Sequence, residues 1–305
     1  MSPTPLPQRL AVILNPFSGT ERGLRDEFGA LKAWIRGQGI DHRIWLALDP
    51  DDLEGIVRMA IDWGAEEYWI GGGDGTLAHF AGIHHRLGLN EPTMFLPMGT
   101  ACQLARRLSI PIGFPELFKA RHNFESRLVD LYSTRNGHTG LLAAGIGMDA
   151  RAMARVDLAL KRVMGEVAYY QSLLASLFTM QAFDAVVEWD GGQWAGSTVE
   201  ILMANANPFE GPLASLAPQA TLTDGLLDVM IFRAGRAPTV LKQIASFVTG
   251  PPTDDPDIVV ARTPWVKIRT DGSVPVQIDG DVAGFTPLEI RVLPAAFPLL
   301  QPPVK

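Results

Sequence analysis

The sequence predicts an α/β domain followed by a β-rich domain, and three observations carry that prediction. Apolar runs alternate with helical periodicity over the first 130 residues; closely spaced strand patterns follow; and one long apolar helical stretch interrupts those strands. At 305 residues the chain can form two ordinary cores. The expected architecture is a doubly wound parallel α/β domain at 1–130, then an antiparallel β-sandwich-like domain with a helical insertion at 131–293.

In the first part, Leu10–Leu14 reads as a buried strand, and Leu24, Phe28, Leu31 and Ile35 recur at helical spacing. A second apolar run at Arg43–Leu48 precedes Leu53, Ile56, Val57, Ala60 and Ile61, a helical face behind the capping candidates Asp49 and Asp51. Tyr68–Ile70, Leu77–Leu87, Met94–Leu96 and Thr100–Leu108 continue the alternation. The second part offers strands at Leu128–Tyr132, Thr139–Ala143, Asp184–Trp189, Val199–Ala204, Leu227–Phe232, Trp265–Thr270, Val274–Ile278 and Leu288–Val292. In the last of these, Leu288, Ile290 and Val292 alternate with Glu289 and Arg291, as a half-buried antiparallel strand requires. The interruption is Ala150–Met180, either a helical hairpin packed on the sheet or a lip beside a lipid cleft.

Composition excludes several classes. Lys and Arg total 26 against 33 Asp and Glu, a net charge of −7, so the basic footprint of a nucleic-acid binder is missing. No uninterrupted apolar run reaches the roughly 18 residues of a membrane span, and the N-terminal run Leu10–Leu14 is too short for a signal sequence. The single cysteine, Cys102, cannot form an internal disulfide, and a cytoplasmic protein is expected. Charge is uneven, however: residues 101–165 carry +5 and the remainder −12, either a solvated face or one that meets anionic lipid, with Arg151, Arg155 and Arg162 on one helical face.

Three loops could carry chemistry. Gly71–Thr76 follows a strand and opens a helix, a turn whose N–H groups can cradle phosphate, yet no Gly-Lys-Ser/Thr follows it. Taken alone, a tight turn explains it as well. Asn15-Pro16-Phe17-Ser18-Gly19 and Pro97-Met98-Gly99-Thr100 also follow strands directly. Three such loops at the carboxyl ends of parallel strands converge on one crevice, where open, Rossmann-like sheets bind ligands. Late in the chain, Asp279-Gly280 between apolar residues reads as a hairpin turn.

In order and spacing these segments resemble the diacylglycerol kinase catalytic-domain family of lipid kinases, relatives of sphingosine and ceramide kinases. The resemblance runs almost end to end: the 15–19 loop, Gly72–Thr76, 97–100, Gly145–Ala150, Lys161 to Tyr169, Ala217–Asp228 and Asp279-Gly280. It implies an ATP-dependent kinase acting on a membrane-lipid hydroxyl such as that of diacylglycerol. ATP would be bound by Asn15, Pro16, Ser18, Gly19, Gly72, Gly73, Asp74, Gly75, Thr76, Gly99, Thr100 and Asp281. Asp279 would be the general base. Asp224, with the carbonyls of Thr221 and Leu226, would hold a structural Mg2+. The tail 294–305 would pack back on the first domain, the lipid would be met peripherally at the membrane surface, and a homodimer stays open.

Several positions depart from the family pattern. Ala78 and His79 stand where Asn-Glu is usual, Cys102 and Gln103 where Asn-Asp is usual, and Asp281 replaces a longer Glu. Two alternatives therefore stand beside the kinase: an NAD kinase-like enzyme, which shares Gly-Gly-Asp-Gly-Thr, and a non-catalytic nucleotide- or lipid-binding relative.

Overall fold

A computed structural model describes residues 3–18, 21–99, 102–147, 181–207, 217, 219–235 and 256–303, with only the backbone of 21–27. The expectations placed on Gly19, Thr100, the 150–180 helical stretch and its arginines lie outside the described residues. The chain divides into two compact units, Met1–Val129 with Ala295–Lys305, and Asp130–Pro294.

The first unit is built on four parallel strands, β1 (Arg9–Leu14), β2 (Asp41–Leu46), β3 (Glu67–Gly72) and β4 (Thr93–Pro97), in the spatial order β2-β1-β3-β4. Residues 299 and 300 extend the sheet parallel to β4. From Leu10 onward β1 is buried throughout, as is β3, which is why both read as continuous apolar runs rather than alternating ones.

Adjacent residues of β3 show helices on both faces, because successive side chains of a strand point to opposite sides. Trp69 stacks on Phe118 of α5 (Phe114–Arg121) and lies 5.3 Å from Trp34 of α1 (Glu21–Gln38). Tyr68 instead meets Phe80 of α3 (Asp74–Arg86) at 5.4 Å. Helix α2 (Leu53–Trp63) is tied to α3 by Glu54 and Arg86 at 2.6 Å. Glu67, on the Trp69 side, meets the fully buried Arg121, whose remaining donors reach the carbonyls of Thr4 and Pro5. Every charge in that buried cluster is therefore matched by an opposite charge or a hydrogen bond, the condition under which burial of ions is tolerated.

The second unit is antiparallel. Its strands are the end of β5 (Glu125–Thr134), β6 (Thr139–Gly140), β7 (Ala143–Gly147), β8 (Phe183–Trp189), β9 (Gly192–Ala204), β10 (Leu227–Arg233), β11 (Ile258–Thr263), β12 (Trp265–Thr270), β13 (Pro275–Ile278), β14 (Asp281–Phe285) and the first part of β15 (Leu288–Gln301). The long β9 organises them: its first half pairs with β8, and its second half lies between β7 and β10. Along that second half, Ile201 and Met203 enter one apolar cluster while Leu202 and Ala204 enter another on the opposite face. No described helix is long and apolar enough to cross a membrane.

Candidate active site

In the first unit the order β2-β1-β3-β4 reverses direction of winding between β1 and β3, the place where open α/β sheets leave a crevice beyond their strand ends. The loops at that point are Asn15–Ser18 and Gly72–Thr76. Asn15 Nδ2 donates to Thr76 Oγ1 at 3.2 Å, and its Oδ1 accepts the Phe17 N–H at 2.9 Å, so one side chain joins both loops. Pro16 and Ser18 are half-buried, and the Ser18 N–H returns to the Asn15 carbonyl.

The 97–99 loop is bound to the same place by backbone. The N–H groups of Met98 and Gly99 both donate to the Gly72 carbonyl, at 2.8 and 3.0 Å. The approach demands glycine: a Cβ on Gly99 would fall 2.7 Å from the Cα of Gly73, and one on Gly72 would fall 2.6 Å from the Cβ of Thr76. Gly73 caps α3 without a side chain, so no cap side chain covers the first N–H groups of that helix, at Gly75 and Thr76, where the positive end of the helix dipole lies.

Asp74 takes a role that spacing did not reveal. Its carboxylate accepts the N–H groups of Gln103 at 2.9 Å and Leu104 at 3.1 Å, capping α4 (Gln103–Arg107). Burial pushes its pKa up, and these N–H bonds pull it down. Cys102 is buried and gives its Sγ–H to the Gly99 carbonyl at 3.1 Å. Ala78 is buried in α3, whereas His79 is exposed.

In the second unit Asp279 and Gly280 form the two-residue loop of the β13–β14 hairpin, at φ +49° and +87°. Both residues thus have the left-handed conformation that suits such hairpins, and Asp tolerates it better than most residues. The turn reading of Asp279 is therefore correct, and its side chain is nonetheless engaged. Oδ1 accepts the N–H groups of Leu142 and Ala143, each at 2.9 Å, and the Tyr132 hydroxyl at 3.0 Å. Oδ2 accepts the Leu141 N–H at 2.6 Å. Burial pushes the Asp279 pKa up to about 6, against the opposing pull of those three N–H groups and the hydroxyl. Asp281, the first residue of β14, is exposed, and among the described residues no donor is bonded to its carboxylate.

Neither Tyr132 nor the 141–143 segment was among the expected site residues. Gly140, opposite Tyr132 across β5 and β6, is the one retrospective signal: a Cβ there would meet the phenol oxygen at 2.3 Å.

The expected metal set does not fit a divalent ion. Asp224 Oδ1 accepts the Leu226 N–H at 3.0 Å, and its Oδ2 is bound by the Arg262 guanidinium at 2.6 Å. Magnesium requires convergent oxygen lone pairs in near-octahedral array; here a fixed cation already holds the carboxylate. Thr221 is exposed and Leu226 half-buried beside it.

Residues 9–134 match the diacylglycerol kinase catalytic domain, and residues 143–301 match the YegS C-terminal NAD kinase beta sandwich-like domain. The chain belongs to the YegS-like diacylglycerol kinase family. A family relative from Stenotrophomonas maltophilia, named "Probable lipid kinase YegS-like", is 30% identical over 297 residues, covering 94% of each chain. "Uncharacterized protein sll0036" of Synechocystis is 28% identical over 235 residues, and there the match spans 76% of this chain and 54% of the relative. The crystal structure of a diacylglycerol kinase from Bacillus anthracis shares the fold, with a TM-score of 0.77 at 21% identity, covering 97% of this chain and 98% of that one.

Proposed function

We propose that this protein transfers the γ-phosphoryl group of ATP to the hydroxyl of a membrane lipid of the diacylglycerol type. The observation that carries the reading is the β1/β3 crevice, where three loops are drawn together by glycine contacts under the open N-terminus of α3. Phosphoryl transfer depends chiefly on positioning and on neutralising phosphate charge, which backbone N–H groups supply. In this reading Gly75 and Thr76 present N–H donors to the phosphates, while Asn15, Pro16 and Ser18 form the opposite wall with Gly99. The carboxylate of Asp74, directed at residues 103 and 104, holds the loops and stays off the anion. Magnesium that neutralises ATP would arrive with the nucleotide through its phosphates, the usual habit of this ion.

The lipid hydroxyl needs a proton acceptor, and the β13–β14 hairpin carries two carboxylates. Asp279 has four donors on its two oxygens and serves in this reading as the anchor of the hairpin. Proton acceptance then falls to Asp281, which is exposed and has its lone pairs available. This revises the role expected of Asp279 and gives Asp281 a proton-transfer role in place of a nucleotide contact.

The test is transfer of radiolabelled phosphate from ATP to a panel of diacylglycerol, a sphingoid base, phosphatidylglycerol and NAD. Label in an extractable lipid supports the proposal; label in NAD alone, or in nothing, overturns it in favour of an NAD kinase-like enzyme or a non-catalytic binder.

A further inference from the structure

Asp224, in the loop that ends at β10, and Asp228, the second residue of that strand, share one cationic partner. The β10–β11 register sets Arg262 directly opposite Asp228, so that its Nε donates to Asp228 Oδ1 at 2.7 Å while the end of the same guanidinium reaches Asp224 Oδ2 at 2.6 Å. The planar fork of arginine suits this double engagement, and its charge cannot be titrated away. The loop between these acids is closed by protein groups as well. Gly225, at φ +72°, gives its N–H to Asp130 Oδ2 at 2.7 Å, and the Asp130 N–H donates to the Leu222 carbonyl at 2.6 Å.

We infer that Arg262 replaces a structural divalent cation in this chain, clamping Asp224 and Asp228 so that the 221–228 loop is held without metal. A divalent ion on Asp224 would have to displace the guanidinium or sit against its full positive charge. This inference is independent of the lipid kinase reading, because it concerns the folded second unit and no reaction.

Melting of the full chain without nucleotide or lipid tests it. With wild-type protein, replacing EDTA by millimolar magnesium chloride should leave the midpoint unchanged to within about 1 °C. Arg262→Met, which keeps the length of the side chain and removes its charge, should melt lower and should gain a magnesium-dependent rise, as the freed carboxylates become available to the ion. A wild-type rise of several degrees that Asp224→Asn abolishes would overturn the inference. A rise that persists in Asp224→Asn comes from another site and leaves the loop metal-free, as inferred. If Arg262→Met melts like the wild type, the clamp is not holding the loop and the inference fails. If that variant does not fold, the comparison of wild type with Asp224→Asn decides alone.

Discussion

The Tyr132 hydroxyl donates to Oδ1 of Asp279 at 3.0 Å, across 147 residues of sequence. Together with the N–H groups of Leu141, Leu142 and Ala143 it makes the Asp279 carboxylate the fixed point of the β13–β14 hairpin. Asn at 279 would keep the turn but set an amide donor against N–H donors. Asp279→Asn should therefore lose about 1–3 kcal/mol of stability in mildly acidic buffer, and Tyr132→Phe about 1 kcal/mol, in line with unmet buried hydrogen bonds. Denaturant titration checks both, and an Asn variant as stable as the wild type would remove the anchor role.

The same carboxyl gives a pH signature. Its pKa rises from 3.8 unfolded to about 6 folded, so the native state holds the proton longer than the unfolded state. Its contribution to stability is therefore fully present below about pH 4 and declines as pH rises through about 6. His84, whose pKa burial lowers, acts in the opposite sense, losing stability as pH falls. The stability gap between wild type and Asp279→Asn isolates the carboxyl: it should be widest near pH 4 and narrow toward neutrality, and a gap independent of pH would contradict the assignment.

Much of this molecule could be read from sequence, and the reasons differ by element. Strands β1, β3 and β4 announce themselves because burial on both faces leaves them apolar throughout. Strand β14 was missed because it begins with an aspartate, includes Gly284 and lies at a sheet edge with Val282 and Phe285 exposed. Strand β11 and helix α5 were missed too, the latter being only eight residues long with a proline in its first turn. At the site, glycine loops are visible because close backbone approach constrains residue type. The donors to Asp279 are not, since three are backbone N–H groups that any residue supplies. Arg262 was equally hidden, as its pairing with Asp224 depends on the β10–β11 register and not on any spacing motif.

The glycine contact between the phosphate loops gives a third prediction. In Gly99→Ala the new methyl would meet the Gly73 backbone at 2.7 Å, where no side chain can swing aside. The variant should fold with a lowered midpoint and lose most of the rise in midpoint that millimolar ATP with magnesium gives the wild type. An undiminished ATP-induced rise would show that the 72–76 and 97–99 loops do not form the nucleotide site together.

Labelled phosphate transfer to lipid by Asp281→Asn, measured beside the wild type, tests whether Asp281 accepts the hydroxyl proton in lipid phosphorylation. Asp281 is exposed, so the substitution should leave the melting midpoint and the ATP-induced rise intact. Turnover should nevertheless fall by roughly 10²–10⁴, the contribution of a positioned general base. A wild type that labels lipid and an Asp281→Asn variant that labels it a hundredfold or more slowly, roughly the lower bound of that contribution, is the predicted result. An Asp281→Asn variant as active as the wild type, or a wild type that labels no lipid, would contradict it.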